Sequence, residues 1–429
     1  MVMIAHSSAS IIEKGAPPKL PELLAPAGNP EKLAVAIHYG ADAVYLAGKS
    51  FGLRAHAGNF SDDELAAAVS TAHGAGVRVY VTVNIFAHQD DLAGLGTYLL
   101  MLRDLGVDGL IIADPGVLAL ARRTVPELPI HLSTQANVTN HESARFWAAQ
   151  GVGRINPARE LSLTELAALR AASQVELEVF VHGAVCIAYS GRCFMSLYLT
   201  GRDANRGDCA QPCRYSYRLE EEKRPGNFFP VDEDGRSSQI FNARDLCLLH
   251  RLPDLLRLGI DALKIEGRMK SLFYVGGVVR LYRAALDYWR DHGLPATADS
   301  AALPPAFSEE LHKLGSRGQS QHFLDGPPTA ADMLPDGATV RQQWAPAAMV
   351  REAGRQPLVE VRNPIRVGET LEYLAGGLDN LPCRVVAIQA EVAEAGRPTP
   401  GQANPGSRVR LQLDQPGPFI APGLFRKLS

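Results

Sequence analysis

ELLAPAGNPEKLAVAIHYGADAVYLAG, residues 22–48, has the pattern of a strand, a helix and a second strand. The apolar run at 22–27 predicts the first strand. Asn29 and Pro30 are residue types preferred at the N-cap and the first turn of a helix, and Gly40 is placed to end that helix. A helix that links two apolar strands in this order predicts that the strands pair in parallel.

The same unit recurs as far as residue 292. The eight predicted strands are 22–27, 43–48, 79–84, 109–114, 130–135, 154–158, 177–182 and 262–267. Eight such units over roughly 250 residues predict a (β/α)8 TIM-like barrel of the α/β class. A doubly wound open sheet is the alternative, but no glycine-rich dinucleotide fingerprint follows the first strand. Because proline is rare in a central strand, Pro157 predicts that the sixth strand ends early.

The regular spacing of the strands breaks once, between strands seven and eight. The segment between them is much longer than one helix with its loops and holds five of the six cysteines. After the barrel, short apolar runs separated by glycine and proline predict a small C-terminal β-barrel-like domain. The predicted organisation is a disordered lead at 1–18, a barrel domain at 19–295 with a Cys-rich insert at 184–261, a helical segment and linker at 296–344, and the β domain at 345–429.

The overall composition is that of a soluble globular protein. Of the 429 residues, 46% are hydrophobic, which excludes disorder as the main state. The formal net charge of −3 excludes a general nucleic-acid coat, which would carry a basic excess. No apolar run approaches the roughly 18 residues that span a bilayer, and the N-terminus lacks the pattern of a secretory signal. We therefore expect a cytoplasmic protein with no membrane contact.

The cysteine spacing is the strongest chemical signal in the sequence. The insert contains Cys186, Cys193, Cys209, Cys213 and Cys247, in the spacing Cys-x6-Cys-x15-Cys-x3-Cys-x33-Cys. Thiolates suit iron–sulfur clusters or zinc, and either usually takes four of them. Structural zinc sites commonly show two close pairs, whereas this chain has one, so the spacing favours a cluster and leaves zinc as the alternative.

The sequence around these thiols is basic and aromatic. Candidate RNA contacts are Arg192, Arg202, Arg206, Arg214 and Tyr215. Arginines bind phosphates and tyrosines stack on bases in RNA-binding proteins. The alternative is that the arginines stabilise an anionic cluster and the tyrosines pack against it.

Polar residues at the predicted strand ends are the candidates for catalysis, because the carboxyl ends of the strands form the active face of such barrels. Those that we assign as catalytic are His182, Lys264, Glu266 and Arg268. The alternative for His182 is that it is a buried histidine whose hydrogen bonds are satisfied and that has no catalytic role. For Lys264, Glu266 and Arg268 the alternative to anion binding is a structural ion-pair network.

Three stretches resemble the peptidase U32 family across nearly the whole chain. They are residues 22–48, FVHGAVCIAYSGRCFMS at 180–196, and ALKIEGRMKS at 262–271. Together with HLSTQANVTN at 131–140 and the short C-terminal β domain, they are most similar to the branch of the family that makes 5-hydroxyuridine in tRNA. Other branches hydroxylate 23S ribosomal RNA or act in ubiquinone synthesis.

The resemblance implies an iron–sulfur protein that hydroxylates a wobble uridine of tRNA, with prephenate as the hydroxyl donor and without dioxygen. It implies a cluster of the 4Fe-4S type held by Cys186, Cys193 and Cys209, with either Cys213 or Cys247 as the fourth ligand. Some relatives work as paired subunits, so a second U32-family subunit is an expected partner beside tRNA. A collagenase-like peptidase is the weaker alternative, because a thiolate that binds iron cannot also attack a peptide.

Overall fold

The computed structural model describes most of the chain. The described residues are 20–52, 58–185, 195–204, 208–212, 219–220, 228–229, 232–234, 237–239, 242–295, 302–327, 333–334, 343–391 and 401–429. Within these ranges no helix is long and apolar enough to cross a membrane.

Eight parallel strands close into the first barrel, which confirms the predicted fold class. They are β1 (Glu22–Pro26), β2 (Ala43–Leu46), β3 (Arg78–Val83), β4 (Gly109–Ile112), β5 (Ile130–Leu132), β6 (Arg154–Ile155), β7 (Glu176–Gly183) and β8 (Ala262–Ile265). Each strand pairs with the next in chain order, and β8 pairs with both β7 and β1. Alternate residues point outwards into one apolar core shared with the surrounding helices.

Helices follow the strands as predicted. The helices are α1 (Pro30–His38), α2 (Asp62–Gly74), α3 (Leu95–Asp104), α4 (Pro115–Thr124), α5 (His141–Ala149), α6 (Leu163–Ala172), α7 (Met195–Thr200), α8 (Leu252–Arg257), α9 (Leu272–His292) and α10 (Pro305–Lys313). Asn29 caps α1 by accepting a hydrogen bond from the Lys32 amide, and Pro30 is its first residue. Ser61 and Ser162 form capping boxes with Glu64 and Glu165, as the sequence pattern indicates.

The short sixth strand has a consequence for the insert. β6 contains only Arg154 and Ile155, in line with the effect expected of Pro157. It pairs with the start of β7, so the far end of β7 is left for another partner. A short insert strand, Asp245–Cys247, pairs antiparallel with that end. The other described insert strands are Leu219–Glu220, Phe228–Phe229, Asp232–Asp234, Ser237–Gln239 and Asn242–Ala243.

Six antiparallel strands close the second barrel. They are β9 (Trp344–Glu352), β10 (Leu358–Val361), β11 (Thr370–Leu374), β12 (Leu381–Ala390), β13 (Arg408–Leu413) and β14 (Leu424–Leu428), in the order β9-β10-β13-β12-β11-β14. Shorter strands are Gln319–Ser320, Met333–Leu334, Ile365–Arg366 and Gln402–Ala403. The short apolar runs 348–350, 357–361, 370–373, 384–388 and 408–413 predict five of the six barrel strands. They miss β14, whose five residues follow a Pro- and Gly-rich stretch.

Buried polar contacts join the two barrels. The Tyr39 hydroxyl on α1 donates to the Leu374 carbonyl at 3.0 Å and accepts from the Leu424 amide at 3.0 Å. Glu310 on α10 accepts hydrogen bonds from Arg280 of α9 at 2.9 Å and from both terminal nitrogens of Arg426 on β14 at 2.6 and 2.7 Å. Because these groups are buried and mutually paired, they fix the second barrel against α1, α9 and α10.

Candidate functional site at the carboxyl end of the first barrel

Side-chain amides form one side of the barrel mouth. Asn84 follows β3, and its Nδ2 donates to Oε1 of Gln135 at 2.7 Å. The Ser133 hydroxyl, at the end of β5, donates to the same oxygen at 3.0 Å. Asn84 and Gln135 end the predicted strands 79–84 and 130–135, so the sequence predicts that both face the barrel mouth, and the structure brings them into contact. An amide pair of this kind offers both donors and acceptors to a polar ligand.

Two cationic side chains lie near the residues that follow β8. Arg268, after β8, donates from Nη1 to the Thr82 hydroxyl at 3.0 Å, which holds the guanidinium across the barrel from its own strand. Lys32 Nζ, from the first turn of α1, donates to the Arg268 carbonyl at 2.8 Å. Burial lowers the pKa of Lys32, and the adjacent Arg268 charge lowers it further. The 2.8 Å contact joins the Lys32 ammonium to the Arg268 backbone, so two positive charges lie in one region of the mouth and favour an anion there.

The floor of the mouth is an ion pair inside the barrel. Lys264 Nζ of β8 lies 2.7 Å from Oε1 of Glu178 on β7, and both side chains are buried. Asn156 Nδ2 donates to the same oxygen at 2.9 Å. Arg154 Nη1 lies 3.8 Å from the other oxygen of Glu178. Lys264 is therefore held in a buried ion pair with Glu178 of β7, a residue outside the 264–268 segment.

The electrostatics of the floor follow from burial and charge pairing. Burial opposes ionisation of Glu178, but Lys264, His131 and Arg154 together lower its pKa to about 2. Burial lowers the pKa of Lys264, and Glu178 opposes that shift. His131 on β5 has its pKa lowered to about 3, mainly by burial and then by Arg154. At neutral pH the floor therefore carries an ionised carboxylate and a neutral imidazole.

Three buried polar atoms around this floor have no hydrogen-bond partner among the described residues. They are Nδ1 of His131, Oδ1 of Asn156 and Oε2 of Glu178. Buried polar atoms are rarely left unpaired in native proteins. Their clustering indicates that the barrel interior beneath the mouth admits water or a polar part of a ligand.

His182 does not point into the mouth. A register irregularity between Lys264 and Ile265 sets His182 opposite Ile265, so its side chain faces α9 instead of the barrel interior. Its Nδ1 lies 3.4 Å from the Tyr282 hydroxyl, and only 2% of the residue is exposed. Burial lowers its pKa to about 4, so the imidazole is neutral at pH 7. This environment matches the satisfied buried histidine, and it places His182 behind the wall of the site.

Glu266 is the one carboxylate in the segment 264–268. Its backbone amide donates to the His182 carbonyl at 2.8 Å, and its backbone carbonyl accepts from the Tyr274 hydroxyl at 3.2 Å. These bonds fix the backbone where β8 leaves the barrel. Glu266 is half-buried there, whereas Lys264 and Arg268 on either side of it are buried.

The candidate cluster ligands are only partly within the described residues. Cys209 is half-buried and its Sγ accepts a hydrogen bond from the Gln211 amide at 3.3 Å. Cys247 is buried on the strand beside β7, and burial raises the pKa of its thiol. Cys186, Cys193 and Cys213 lie outside the described residues. In the part of the chain that the structure describes, no three His, Cys, Asp or Glu side chains converge as a metal site.

Most of the candidate RNA contacts also lie outside the described residues, namely Arg192, Arg206, Arg214 and Tyr215. Arg202 is described, and its Nε donates to Asp208 at 2.7 Å. Its guanidinium is therefore partly engaged by a neighbouring loop carboxylate.

Sequence reasoning misses several polar residues of the mouth and floor. Glu178 carries a signal, because a carboxylate interrupts an otherwise apolar strand in ELEVFV at 176–181. Thr82 carries a weaker one, as a polar residue within VYVTV at 79–83. Lys32 gives no such signal, since a lysine in the first turn of an amphipathic helix is ordinarily exposed.

Comparison with known proteins places this site in a family. Residues 28–334 match the model of peptidase family U32. The tRNA hydroxylation protein P1 of Bacillus subtilis is 36% identical over 400 residues, which are 92% of this chain and 93% of that protein. The tRNA hydroxylation protein P of Escherichia coli is 34% identical over 401 residues, 82% of this chain and 86% of that protein. The 23S rRNA 5-hydroxycytidine C2501 synthase of Escherichia coli is 36% identical over 309 residues, 71% of this chain and 45% of that protein. The chain therefore belongs to peptidase family U32, as its sequence motifs predict.

Proposed function

We propose that this protein is an RNA hydroxylase that converts the wobble uridine of tRNA to 5-hydroxyuridine at the mouth of the first barrel. The observation that carries the proposal is the extent of the match to the two tRNA hydroxylation proteins, each aligned over more than four fifths of its length. The ribosomal RNA enzyme is matched over less than half of its length. That difference favours tRNA as the substrate.

The proposed reaction replaces the hydrogen on C5 of uridine by a hydroxyl group, which oxidises the base by two electrons. Prephenate is the proposed donor: it gives up a hydroxyl group, accepts a hydrogen in exchange and is reduced by two electrons. Prephenate carries two carboxylates. The paired cations Lys32 and Arg268 at the mouth are suited to an anionic donor of this kind.

The chain's own residues would bind and orient the two substrates. Asn84 and Gln135 present the donors and acceptors that the polar edge of a uracil requires. The Lys264–Glu178 pair closes the floor, so that the reacting groups meet at the mouth. Glu266 follows β8 and is half-buried, and we propose that its carboxylate accepts the proton from C5.

The iron–sulfur cluster is part of the proposal, and the described cysteines allow a test of fit. Cys209 fits, because its sulfur is half-buried and accepts a backbone hydrogen bond of the kind that stabilises cluster thiolates. Cys247 is buried on the strand beside β7, and it is the alternative to Cys213 as the fourth ligand. We propose Cys186, Cys193 and Cys209 as three of the ligands, with Cys213 or Cys247 as the fourth. The cluster supplies one-electron transfer when it is bound.

The peptidase alternative has less support from the described site. A cysteine peptidase needs a histidine that can reach both the thiol and the peptide. His182 is enclosed by Tyr274, Tyr282 and the Asp245–Cys247 strand, with its ring centre 5.5 Å from that of Tyr282. A peptide therefore has no access to this imidazole from the barrel mouth.

Nucleoside mass spectrometry of tRNA and 23S ribosomal RNA tests the proposal. The host lacks its own 5-hydroxyuridine pathways and carries the wild-type gene, the Cys193→Ala variant or no gene. We expect 5-hydroxyuridine in tRNA only with the wild-type gene. Hydroxycytidine in ribosomal RNA would instead assign the protein to that substrate. Unchanged RNA in cells where the purified protein contains iron would refute autonomous RNA hydroxylation.

A further inference from the structure

A cavity of about 130 Å³ lies between the start of α9 and the second barrel. Three cationic side chains and three aromatic side chains line it: Lys270, Lys313, Arg426, Phe273, Tyr274 and Trp344. None of the described residues that line it is acidic. Proteins bind single-stranded nucleic acid through surfaces that combine cationic side chains with aromatic rings. The lining of this cavity has that combination and no carboxylate among its described residues.

Glu372, which pairs with two of these cations, is not among the residues that line the cavity. Glu372 is 3.0 Å from Lys313 Nζ and 2.6 Å from Arg426 Nε. Lys313 Nζ lies 4.8 Å from the centre of the Trp344 ring, and Arg426 Cζ lies 5.1 Å from it. Glu372 therefore holds Lys313 and Arg426 in position, and these two cations in turn contact the Trp344 indole.

Lys270 connects this cavity to the barrel mouth. It is two residues beyond Arg268, and it directly precedes Ser271, the N-cap of α9. Lys270 Nζ is 3.6 Å from Asp245 and 5.1 Å from the centre of the Tyr274 ring, and its side chain is 26% exposed. The positive end of the 21-residue helix α9 adds to its charge. A phosphate at Lys270 would lie at the edge shared by the mouth and the cavity.

We propose that this cavity binds one unpaired nucleotide of the RNA substrate, next to the nucleotide that is modified. The base packs against Trp344, and its phosphate contacts Lys270 and Lys313. Pockets that enclose whole drug-sized ligands measure roughly 300–1,000 Å³, so a cavity of about 130 Å³ has room for a base but not a complete nucleoside. This inference rests on the proposed function, because it names a second contact for the same substrate.

Fluorescence anisotropy tests the inference, with full-length iron-containing protein and a fluorescein-labelled unmodified tRNA transcript as probe. Trp344→Leu removes the stacking surface, and Lys270→Gln removes one phosphate contact. Arg123→Gln is the matched control, since Arg123 is exposed in the last turn of α4, at the opposite end of the barrel.

We expect Trp344→Leu to weaken binding about tenfold, within the range measured for loss of one base–aromatic stack. Lys270→Gln should lower the slope of log affinity against log salt by about one, because one fewer phosphate is neutralised. Trp344→Phe should retain most of the affinity, which guards against a folding defect in Trp344→Leu. Arg123→Gln should match the wild type.

Two results would overturn the inference: binding by Trp344→Leu and Lys270→Gln within twofold of wild type, or equal losses in Arg123→Gln. Failure of the proposed function is recognised separately. In that case wild-type protein leaves cellular tRNA without 5-hydroxyuridine, whatever the cavity variants bind.

Discussion

Replacing Lys264 by methionine should destabilise the first barrel by about 3 kcal/mol at pH 7. Lys264 and Glu178 form a buried ion pair with a distance of 2.7 Å, and removing one partner of such a pair typically costs about 3–5 kcal/mol. We expect the lower end of that range, because Glu178 still contacts the Asn156 amide at 2.9 Å and Arg154 at 3.8 Å in the variant. The uncompensated charge is therefore partly screened by two remaining partners.

Acid should reduce this cost. Without Lys264, the pKa of Glu178 rises from its value of about 2, because burial is then opposed by fewer cations. Once Glu178 is protonated it is neutral, so the loss of Lys264 no longer leaves a buried charge without a partner. The difference in unfolding free energy between wild type and Lys264→Met should therefore shrink as the pH falls from 7 to 5.

Urea unfolding followed by circular dichroism at both pH values measures these differences. The control is the double variant Glu178→Gln with Lys264→Met, which removes both charges and should recover most of the lost stability. If that variant is stable but makes no hydroxynucleoside, the charged pair is required for the reaction as well as for stability. A loss below about 1 kcal/mol in the single variant, or no recovery in the double variant, would refute the reasoning.

Three further outcomes are expected. The free energy of unfolding should fall by about 2 kcal/mol from pH 7 to 5 because of His131. The pKa of His131 is about 3 in the folded state, below its unfolded value, so only the unfolded state gains a proton in that window. His131→Gln should therefore flatten this part of the dependence of unfolding free energy on pH, measured by urea unfolding. Tyr39→Phe should cost about 2 kcal/mol in thermal or urea unfolding, because it strips partners from the buried Leu374 carbonyl and Leu424 amide; a cost near zero would show that those groups find other partners. Cys193→Ser should abolish bound iron in metal analysis, whereas Cys383→Ser, at a fully buried thiol of the second barrel, should leave the iron content unchanged.

Much of the first barrel could be predicted from local patterns. Caps at Asn29 and Ser61, and the proline at 157, act within a few residues of their own position. Their consequences could therefore be derived without knowledge of the fold. Strand β14 could not be predicted in this way, because it is short and shows little alternation of apolar and polar residues. Such a strand is specified mainly by its neighbours in the closed second barrel.

The mouth was predictable in position but not in detail. Strand ends identified Asn84, Gln135 and Arg268, since parallel strands bring their carboxyl ends together. The orientation of His182 was not predictable, because it depends on a register irregularity between β7 and β8. The approach of Lys32 to Arg268 joins residues at opposite ends of the barrel sequence, so no local pattern reports it.

The central claim is that RNA is hydroxylated at the barrel mouth, and one complementation measurement tests it most directly. A host without its own 5-hydroxyuridine pathways expresses the wild type, Arg268→Gln or the distant Arg123→Gln at equal levels, and its tRNA nucleosides are measured by mass spectrometry. We predict 5-hydroxyuridine with the wild type and with Arg123→Gln, and a loss of at least tenfold with Arg268→Gln in a protein that still folds and binds iron. Full modification by folded Arg268→Gln would contradict the account.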